Sequence, residues 1–151
     1  MTTKMKFFTA GLLLISATLS AQAGAADAGE RLYSAVPPEV KALSNPYVFE
    51  DKVVLKQGKK LYRKNCSTCH GPRGNGKGPI GNSLEPKPTS FLHVSYTSQQ
   101  PDQNFYWAVR EGSPGTAMPA FKEQLKEDEI WKIIAYLRYL PVRYASRVSM
   151  K

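Results

Sequence analysis

The sequence has few residues that could bind a metal ion or form disulfide bonds. In 151 residues there are only two cysteines, Cys66 and Cys69, and two histidines, His70 and His93. Two cysteines can form at most one disulfide, which excludes the disulfide-rich scaffolds of small secreted proteins. A structural zinc site would need nearly all four of these residues and is therefore disfavoured.

The sequence also lacks an apolar run of the roughly 20 residues that span a bilayer. Its apolar stretch from Phe7 to Ile15 follows Lys4 and Lys6 and precedes small residues that end in Ala21-Gln22-Ala23. This order predicts a secretory signal peptide, residues 1–23, cleaved near Ala23, and therefore a location in the periplasm. A permanent anchor is the alternative, while a lipid anchor is excluded because no cysteine lies near the cleavage point.

Acidic residues are scarce as well. The chain has 12 Asp and Glu against 21 Lys and Arg, a formal net charge of +9, which becomes +7 without the two lysines of the leader. A basic surface favours an acidic partner through long-range attraction, although a surface that merely keeps the protein soluble is the alternative. Nucleic acid is disfavoured as a partner because export separates the protein from it, and membrane contact would be peripheral.

No segment alternates between apolar and polar residues as a strand does, so we predict an all-α fold. Residues 24–49 are interrupted by Pro37-Pro38 and Asn45-Pro46 and are interpreted as an irregular N-terminal extension, either laid over the domain or mobile. Residues 50–145 form the predicted domain, and residues 146–151 form a C-terminal tail.

Helical periodicity predicts three helices in this domain. The first runs from Asp51 to Asn65, and the second from Gln103 to Glu111 with Asp102 as its N-cap and Gly112 as its stop. The third runs from Glu127 to Leu140 and is closed by Pro141. The residues expected to face inward are Val54, Leu55, Gly58, Leu61, Tyr62, Phe105, Ala108, Val109, Ile130, Ile133, Ile134 and Leu137.

Both cysteines lie in the motif Cys66-Ser-Thr-Cys69-His70. A disulfide suits an oxidising compartment, and a thioredoxin-like site would need a βαβ context, whereas helical periodicity surrounds this motif. A C-x-x-C-H motif behind an export signal favours covalent haem attachment. The i, i+3 spacing puts both sulfurs on one side of a helical turn, where they can meet the two vinyl groups of one porphyrin. His70 can then reach the iron.

The sequence resembles the class I c-type cytochromes over residues 53–140. Gly58 and Tyr62 match the N-terminal helix of that family, whose glycine lets it cross the C-terminal helix closely, and Ile133 and Tyr136 match the facing positions. The resemblance implies helices packed around one covalent haem c. Lys126 departs from the family, which often has Ser or Thr before this helix, and leaves the exact start of the helix open.

The resemblance also implies the second iron ligand. Met118, in Gly115-Thr-Ala-Met-Pro-Ala-Phe121, stands in a loop between two helices where the family has its distal Met-Pro. His93 would give a bis-histidine site instead, and an open position is the third alternative. A thioether ligand raises the reduction potential relative to a second imidazole, and two protein ligands leave no vacant site for oxygen or peroxide.

The motif is followed by Gly71-Pro-Arg-Gly-Asn-Gly76-Lys77, one residue short of a phosphate-binding loop, because Gly78 replaces the Ser or Thr that would hold magnesium. No buried strand precedes it, so nucleotide binding is disfavoured. The resemblance implies instead that the carbonyl of Pro79 accepts a hydrogen bond from His70 and fixes its orientation. Gly71, Gly74 and Gly76 would then permit tight turns beside the cofactor.

The sequence therefore predicts a periplasmic monohaem cytochrome that carries single electrons between redox proteins with acidic docking surfaces. Lys77 and Lys87 are candidates for a charged rim around the haem edge. One alternative is a cytochrome subunit of a larger oxidoreductase, with residues 24–49 as a docking arm. The alternative from another class is a peroxidase or gas sensor in which Met118 is a labile ligand.

Overall fold

The computed structural model describes residues 35–150, and the predicted leader and the first part of the extension lie outside them. Within this range there are helices and turns and no strand, so the predicted all-α fold is confirmed. The helices are α1 (Pro38–Lys41), α2 (Lys52–Asn65), α3 (Ser67–His70), α4 (Val94–Gln99), α5 (Asp102–Glu111) and α6 (Glu127–Ser149), with a 3₁₀ turn at Gly81–Ser83. In this part of the chain no helix is long and apolar enough to cross a membrane.

Helices α2 and α6 form the centre of the fold. They cross so closely at Gly58 that a Cβ atom there would lie 2.1 Å from the carbonyl oxygen of Lys132. Below the crossing, the rings of Tyr62 and Tyr136 pack with centroids 5.5 Å apart, and Ile133 is buried beside them. The predicted packing of these four positions, Gly58, Tyr62, Ile133 and Tyr136, is therefore confirmed.

Helix α6 continues past the residue that was expected to end it. Pro141 lies inside the helix, which runs on to Ser149, so the prediction of an end at Leu140 is wrong. A proline removes only the N–H that would bond to Leu137, and the amides beyond it can still donate. Burial of Leu140 and Pro141 offsets the cost. Helix α6 therefore extends beyond residue 145, which was the predicted end of the domain.

The start of α6 agrees with the sequence. It begins at Glu127, and the amide of Lys126 donates to the carboxylate of Glu129 at 2.9 Å. This bond and the three acidic residues of the first turn stabilise the start of the helix, as a Ser or Thr cap would otherwise do.

Asp102 has a different role from the one predicted. It is the first residue of α5, and the cap position is occupied by Pro101, which makes no side-chain capping bond. Instead, the carboxylate accepts a hydrogen bond from Nε of Arg138 at 2.6 Å. The same guanidinium lies over the ring of Phe105, 4.9 Å from its centroid. Arg138 therefore links α5 to α6. The sequence pattern, which predicted a helix cap at Asp102, did not indicate this contact.

The described part of the extension lies over the domain. Val36 and Val40 are buried, at 2% and 4% exposure, and belong to the same core as α6. Nδ2 of Asn45 donates to the carbonyl of Trp131 at 3.4 Å, and Gln103 donates to the carbonyl of Leu43. The sequence left open whether this segment lies over the domain or is mobile, and residues 35–49 lie over the domain.

Candidate functional site

A cavity of about 220 Å³ brings together candidate haem-binding side chains from two parts of the chain that are distant in sequence. Cys66, Cys69 and His70 come from the end of α2 and from α3, and Met118 comes from the loop between α5 and α6. The remaining walls are largely apolar. They include Tyr62, Leu84, Pro86, Pro88, Phe91, Val109, Pro119, Phe121, Ile133 and Leu137.

The C-x-x-C-H motif forms a single helical turn. Cys66 closes α2, its amide donating to the carbonyl of Tyr62 at 2.8 Å, and its own carbonyl accepts from His70 at 2.9 Å. This turn places the three side chains on one wall of the cavity. The two cysteines form no disulfide with each other. Burial, and then the neighbouring Cys69, raises the pKa of the Cys66 thiol to about 12, so the thiol is neutral.

The imidazole of His70 is held from two directions. Nδ1 lies 3.1 Å from the carbonyl oxygen of Thr89, and the ring of Phe91 stacks on the imidazole with centroids 4.8 Å apart. Because a carbonyl can only accept, Nδ1 carries the proton and Nε2 keeps its lone pair. Burial lowers the pKa of His70, opposed by the bond to Thr89, which leaves the neutral form that ligates iron.

The acceptor for His70 is therefore not the one predicted, because the structure pairs Nδ1 with Thr89 and not with Pro79. Pro79 is exposed and lies outside the cavity, between two residues that pack against the back of the motif. The amide of Gly78 donates to Cys69, and the amide of Ile80 donates to Thr68. A Cβ on Gly78 would lie 2.2 Å from the carbonyl oxygen of Thr68, so the loop packs closely against the back of the motif.

The glycine-rich loop satisfies its own backbone. Gly71, Gly74 and Gly76 adopt positive φ angles of 80°, 75° and 74°, as the turn prediction required. The amide of Gly76 donates to His70, and that of Gly74 donates to Gly71. Amides that are already bonded cannot cradle a phosphate, which agrees with the rejection of a nucleotide-binding loop.

The loop that carries Met118 is folded back on itself. The carbonyl of Met118 accepts a hydrogen bond from the amide of Ser113 at 3.2 Å, and the amide of Met118 donates to the hydroxyl of Thr116 at 3.1 Å. Gly112 ends α5 as predicted, with a φ of 81°, and a Cβ there would lie 2.9 Å from the carbonyl of Met118. The loop thus positions Met118 against the cavity through its backbone.

Two candidates from the sequence lie elsewhere. His93 is exposed, precedes α4, and lines a second groove that shares no residue with the cavity. Lys77 lines that groove too, whereas Lys87 lines the cavity. The two predicted rim lysines, Lys77 and Lys87, therefore lie on different surfaces. The alternative in which His93 is the second iron ligand has no support from the geometry.

Sequence reasoning missed the segment that holds His70. Thr89 and Phe91 follow Glu85-Pro-Lys-Pro88, in which two prolines restrict the backbone and remove two amide donors. That pair of prolines was the available signal for a rigid segment. Nothing in the sequence indicated that its next carbonyl would meet the imidazole.

A family model for cytochrome c matches residues 55–141, more than half of the chain. The chain belongs to the cytochrome c family. This cytochrome is 30% identical over 112 residues to cytochrome c-L of Methylorubrum extorquens, covering 74% of the chain and 52% of that relative. It thus spans about half the length of the curated relative that it matches.

Two solved structures are similar to this cytochrome. One is the reducing HAO-like protein complex Kustc0457/Kustc0458 of Kuenenia stuttgartiensis, with 26% identity, a TM-score of 0.54, and coverage of 65% of this chain and 49% of that one. The other is the c-type cytochrome KustC0563, with 29% identity, a TM-score of 0.49, and coverage of 55% and 95%.

The family cofactor is one covalently bound haem c, and the residues of the cavity fit it. Two thiols can bond to the vinyl groups of a c-type haem, an imidazole and a thioether are among the ligands that its iron takes, and all four groups line one cavity. The apolar walls suit a porphyrin. The cytochrome thus contains every side chain that this cofactor needs.

Proposed function

We propose that this cytochrome carries single electrons between redox proteins in the periplasm, with haem c held through Cys66 and Cys69 and its iron ligated by His70 and Met118. The observation that carries the proposal is the cavity that collects these four side chains from two chain segments, the C-x-x-C-H motif and the Met118 loop. Haem supplies one-electron chemistry between ferric and ferrous iron.

The cytochrome's own residues restrict that chemistry to electron transfer. Thr89 and Phe91 hold the imidazole of His70 in one orientation, and the backbone bonds of the loop hold Met118. If His70 and Met118 both ligate the iron, they would leave no position open to small molecules, and little rearrangement would accompany a change of oxidation state. This arrangement suits a carrier better than a peroxidase or a gas sensor.

A role as a subunit of a larger oxidoreductase is the second candidate. Its support is the likeness to a structure of a reducing HAO-like protein complex. The described part of the extension belongs to the domain core, so a docking arm would have to come from residues outside it. Copurification of the full chain with a second protein would favour this candidate.

The proposed function is tested by a redox titration of the purified haem protein followed by its absorption spectrum. We expect one reversible one-electron transition, the weak red absorption of methionine-ligated ferric haem, and no binding of carbon monoxide to the ferrous form. Ready binding of carbon monoxide or cyanide, without the red absorption, would replace the carrier by a peroxidase or a gas sensor.

A further inference from the structure

A second groove, of about 770 Å³, lies apart from the haem cavity. It is bounded by α2, by the glycine-rich loop, by residues 90–93 and by the part of α6 that continues past Pro141. Six cationic side chains line it: Lys59, Arg63, Arg73, Lys77, Arg143 and Arg147. We call this surface the cationic groove.

The positive charge of the cationic groove is not neutralised by nearby carboxylates. No Asp or Glu is among its lining residues, and none of the six cations forms a salt bridge in the part of the chain that the structure describes. The described salt bridges involve other cations, such as Lys122 and Arg138. Like charges gathered in a concave surface reinforce one another's potential, which attracts an anionic ligand.

The floor of the groove is not purely polar. Tyr136 and Leu140 are buried there, and Tyr144 stands half-exposed at the edge. A ligand that combines carboxylates with aliphatic groups would satisfy both the cations and these apolar surfaces. A protein segment rich in Glu or Asp has that composition, whereas a free phosphate could use only the cations.

The shape of the surface also favours a protein segment over the alternatives. The loop amides next to Arg73 and Lys77 are bonded to other backbone groups and to Asn75, so they offer no cradle for phosphate. The cations line the inside of a concavity, where a flat lipid surface makes poor contact and a chain can enter. We propose that the cationic groove docks a carboxylate-rich segment of a partner protein.

The groove lies directly behind the segment that positions His70. Along residues 89–92 the side chains alternate, so that Thr89 and Phe91 line the haem cavity while Ser90 and Leu92 line the groove. A partner docked there approaches the haem from the His70 side. That the partner is a redox protein rests on the proposed function; that the groove binds carboxylates does not.

The test uses the full haem-loaded chain and a fluorescein-labelled oligoglutamate peptide, with binding followed by fluorescence anisotropy. The triple variant Arg63→Gln, Lys77→Gln, Arg147→Gln removes one exposed cation from each of three elements of the groove. Because exposed charge pairs are each worth up to about 1 kcal/mol, we expect this variant to bind about tenfold or more weakly. Affinity of the natural chain should fall as ionic strength rises.

The matched control is the triple variant Lys56→Gln, Lys60→Gln, Lys64→Gln, which loses the same charge from exposed positions of α2 outside the groove. It should retain nearly all of the affinity. Equal weakening in both triple variants would overturn the proposal in favour of nonspecific attraction. The proposal would also be overturned if the groove substitutions weakened binding to inorganic phosphate, or to phosphatidylcholine–phosphatidylglycerol vesicles, but did not weaken binding to the peptide.

Two further measurements separate this proposal from the proposed function. In the natural chain, peptide should shift the amide resonances of Ser90 and Leu92, and shifts confined to residues outside the groove would contradict the docking site. The groove variants should keep the reduction potential and spectrum of the natural protein. If peptide binds in the groove but no reversible redox transition is found, the carrier function fails and the docking surface stands.

Discussion

The carbonyl oxygen of Thr89 lies 3.1 Å from Nδ1 of His70, and this contact joins two segments 19 residues apart. It sets the tautomer of the imidazole, because only a protonated Nδ1 can donate to a carbonyl. It also resists rotation of the ring, together with the stacked side chain of Phe91. Partners of this kind raise the basicity of a ligating histidine and so influence the metal that it holds.

We therefore expect a through-hydrogen-bond coupling in the ferrous haem-loaded protein between the ¹⁵Nδ1 of His70 and a ¹³C-labelled threonine carbonyl. The measurement needs one sample labelled at threonine carbonyls and a matched sample labelled at proline carbonyls. Coupling in the proline sample alone would restore Pro79 as the acceptor. Because the contact is made by the backbone, a Thr89→Ala variant labelled at alanine carbonyls should show the same coupling.

Replacing Met118 by alanine should open one axial position. We expect Met118→Ala to lose the red absorption of the ferric protein, to bind carbon monoxide in the ferrous state, and to have a lower reduction potential. Axial ligands set haem potentials over about 0.8 V, so the shift should be easily measured by redox titration. His93→Ala is the control, since this exposed residue lies in the cationic groove, and its spectrum should be unchanged.

The crossing of α2 and α6 should not tolerate a side chain at position 58. In Gly58→Ala the new Cβ would stand 2.1 Å from the carbonyl of Lys132, so the helices must separate. We expect the free energy of unfolding to fall by about 1–3 kcal/mol, as for other overpacked cores, despite the better helix propensity of alanine. Guanidinium denaturation of the haem-loaded protein measures this.

Gln57→Ala provides the comparison for that experiment, because it changes the exposed neighbouring position of the same helix. It should leave the stability nearly unchanged. Equal stability of the two variants would mean that the helices can move apart at little cost.

The extension should contribute to stability through its buried valines. Val40 is 4% exposed and Val48 is 65% exposed, so the two positions form a matched pair within one segment. Val40→Ala should lower the free energy of unfolding by about 1–3 kcal/mol, because it removes buried methyl groups and leaves a cavity. Val48→Ala should have little effect in the same denaturation experiment. Similar values for both would indicate that the segment detaches in solution.

The pH dependence of stability should include a contribution from Asp128. Its carboxylate accepts from Tyr47 and pairs with Nζ of Lys132 at 2.6 Å, and these contacts, Lys132 first, hold its pKa below the ordinary value of 3.8. A carboxyl with a lowered pKa in the folded state stabilises the protein above the unfolded pKa, and that stability is lost as pH falls through the folded pKa.

We therefore expect Asp128→Asn to flatten the acid side of the stability curve, measured as thermal unfolding against pH. The side chain is 52% exposed, so the effect should be small and should shrink in high salt. Glu123→Gln removes an exposed carboxylate without a salt bridge in the described part of the chain and should leave the slope unchanged. An unchanged slope in Asp128→Asn would show that the contact is absent in solution.

Local pattern was sufficient to locate the three main helices and the four candidate haem-binding side chains of the cavity. Periodic apolar residues marked α2, α5 and α6, and the spacing of Cys66, Cys69 and His70 marked the haem motif. The errors occurred where a local signal was weaker than tertiary packing. Pro141 usually ends a helix, but here burial of its own ring and of Leu140 keeps α6 intact. An aspartate at the start of a helix usually caps it, but Asp102 pairs with Arg138 instead.

What the sequence determined alone is the family and the candidate residues for the haem and its iron, because C-x-x-C-H and the Met-Pro loop depend on residue type and spacing. Only the tertiary structure decided which carbonyl meets His70, because Thr89 reaches it through the packing of Phe91. Only the tertiary structure gathered the cations of three elements into one groove, since charges distant in sequence add their potentials only when folding brings them together.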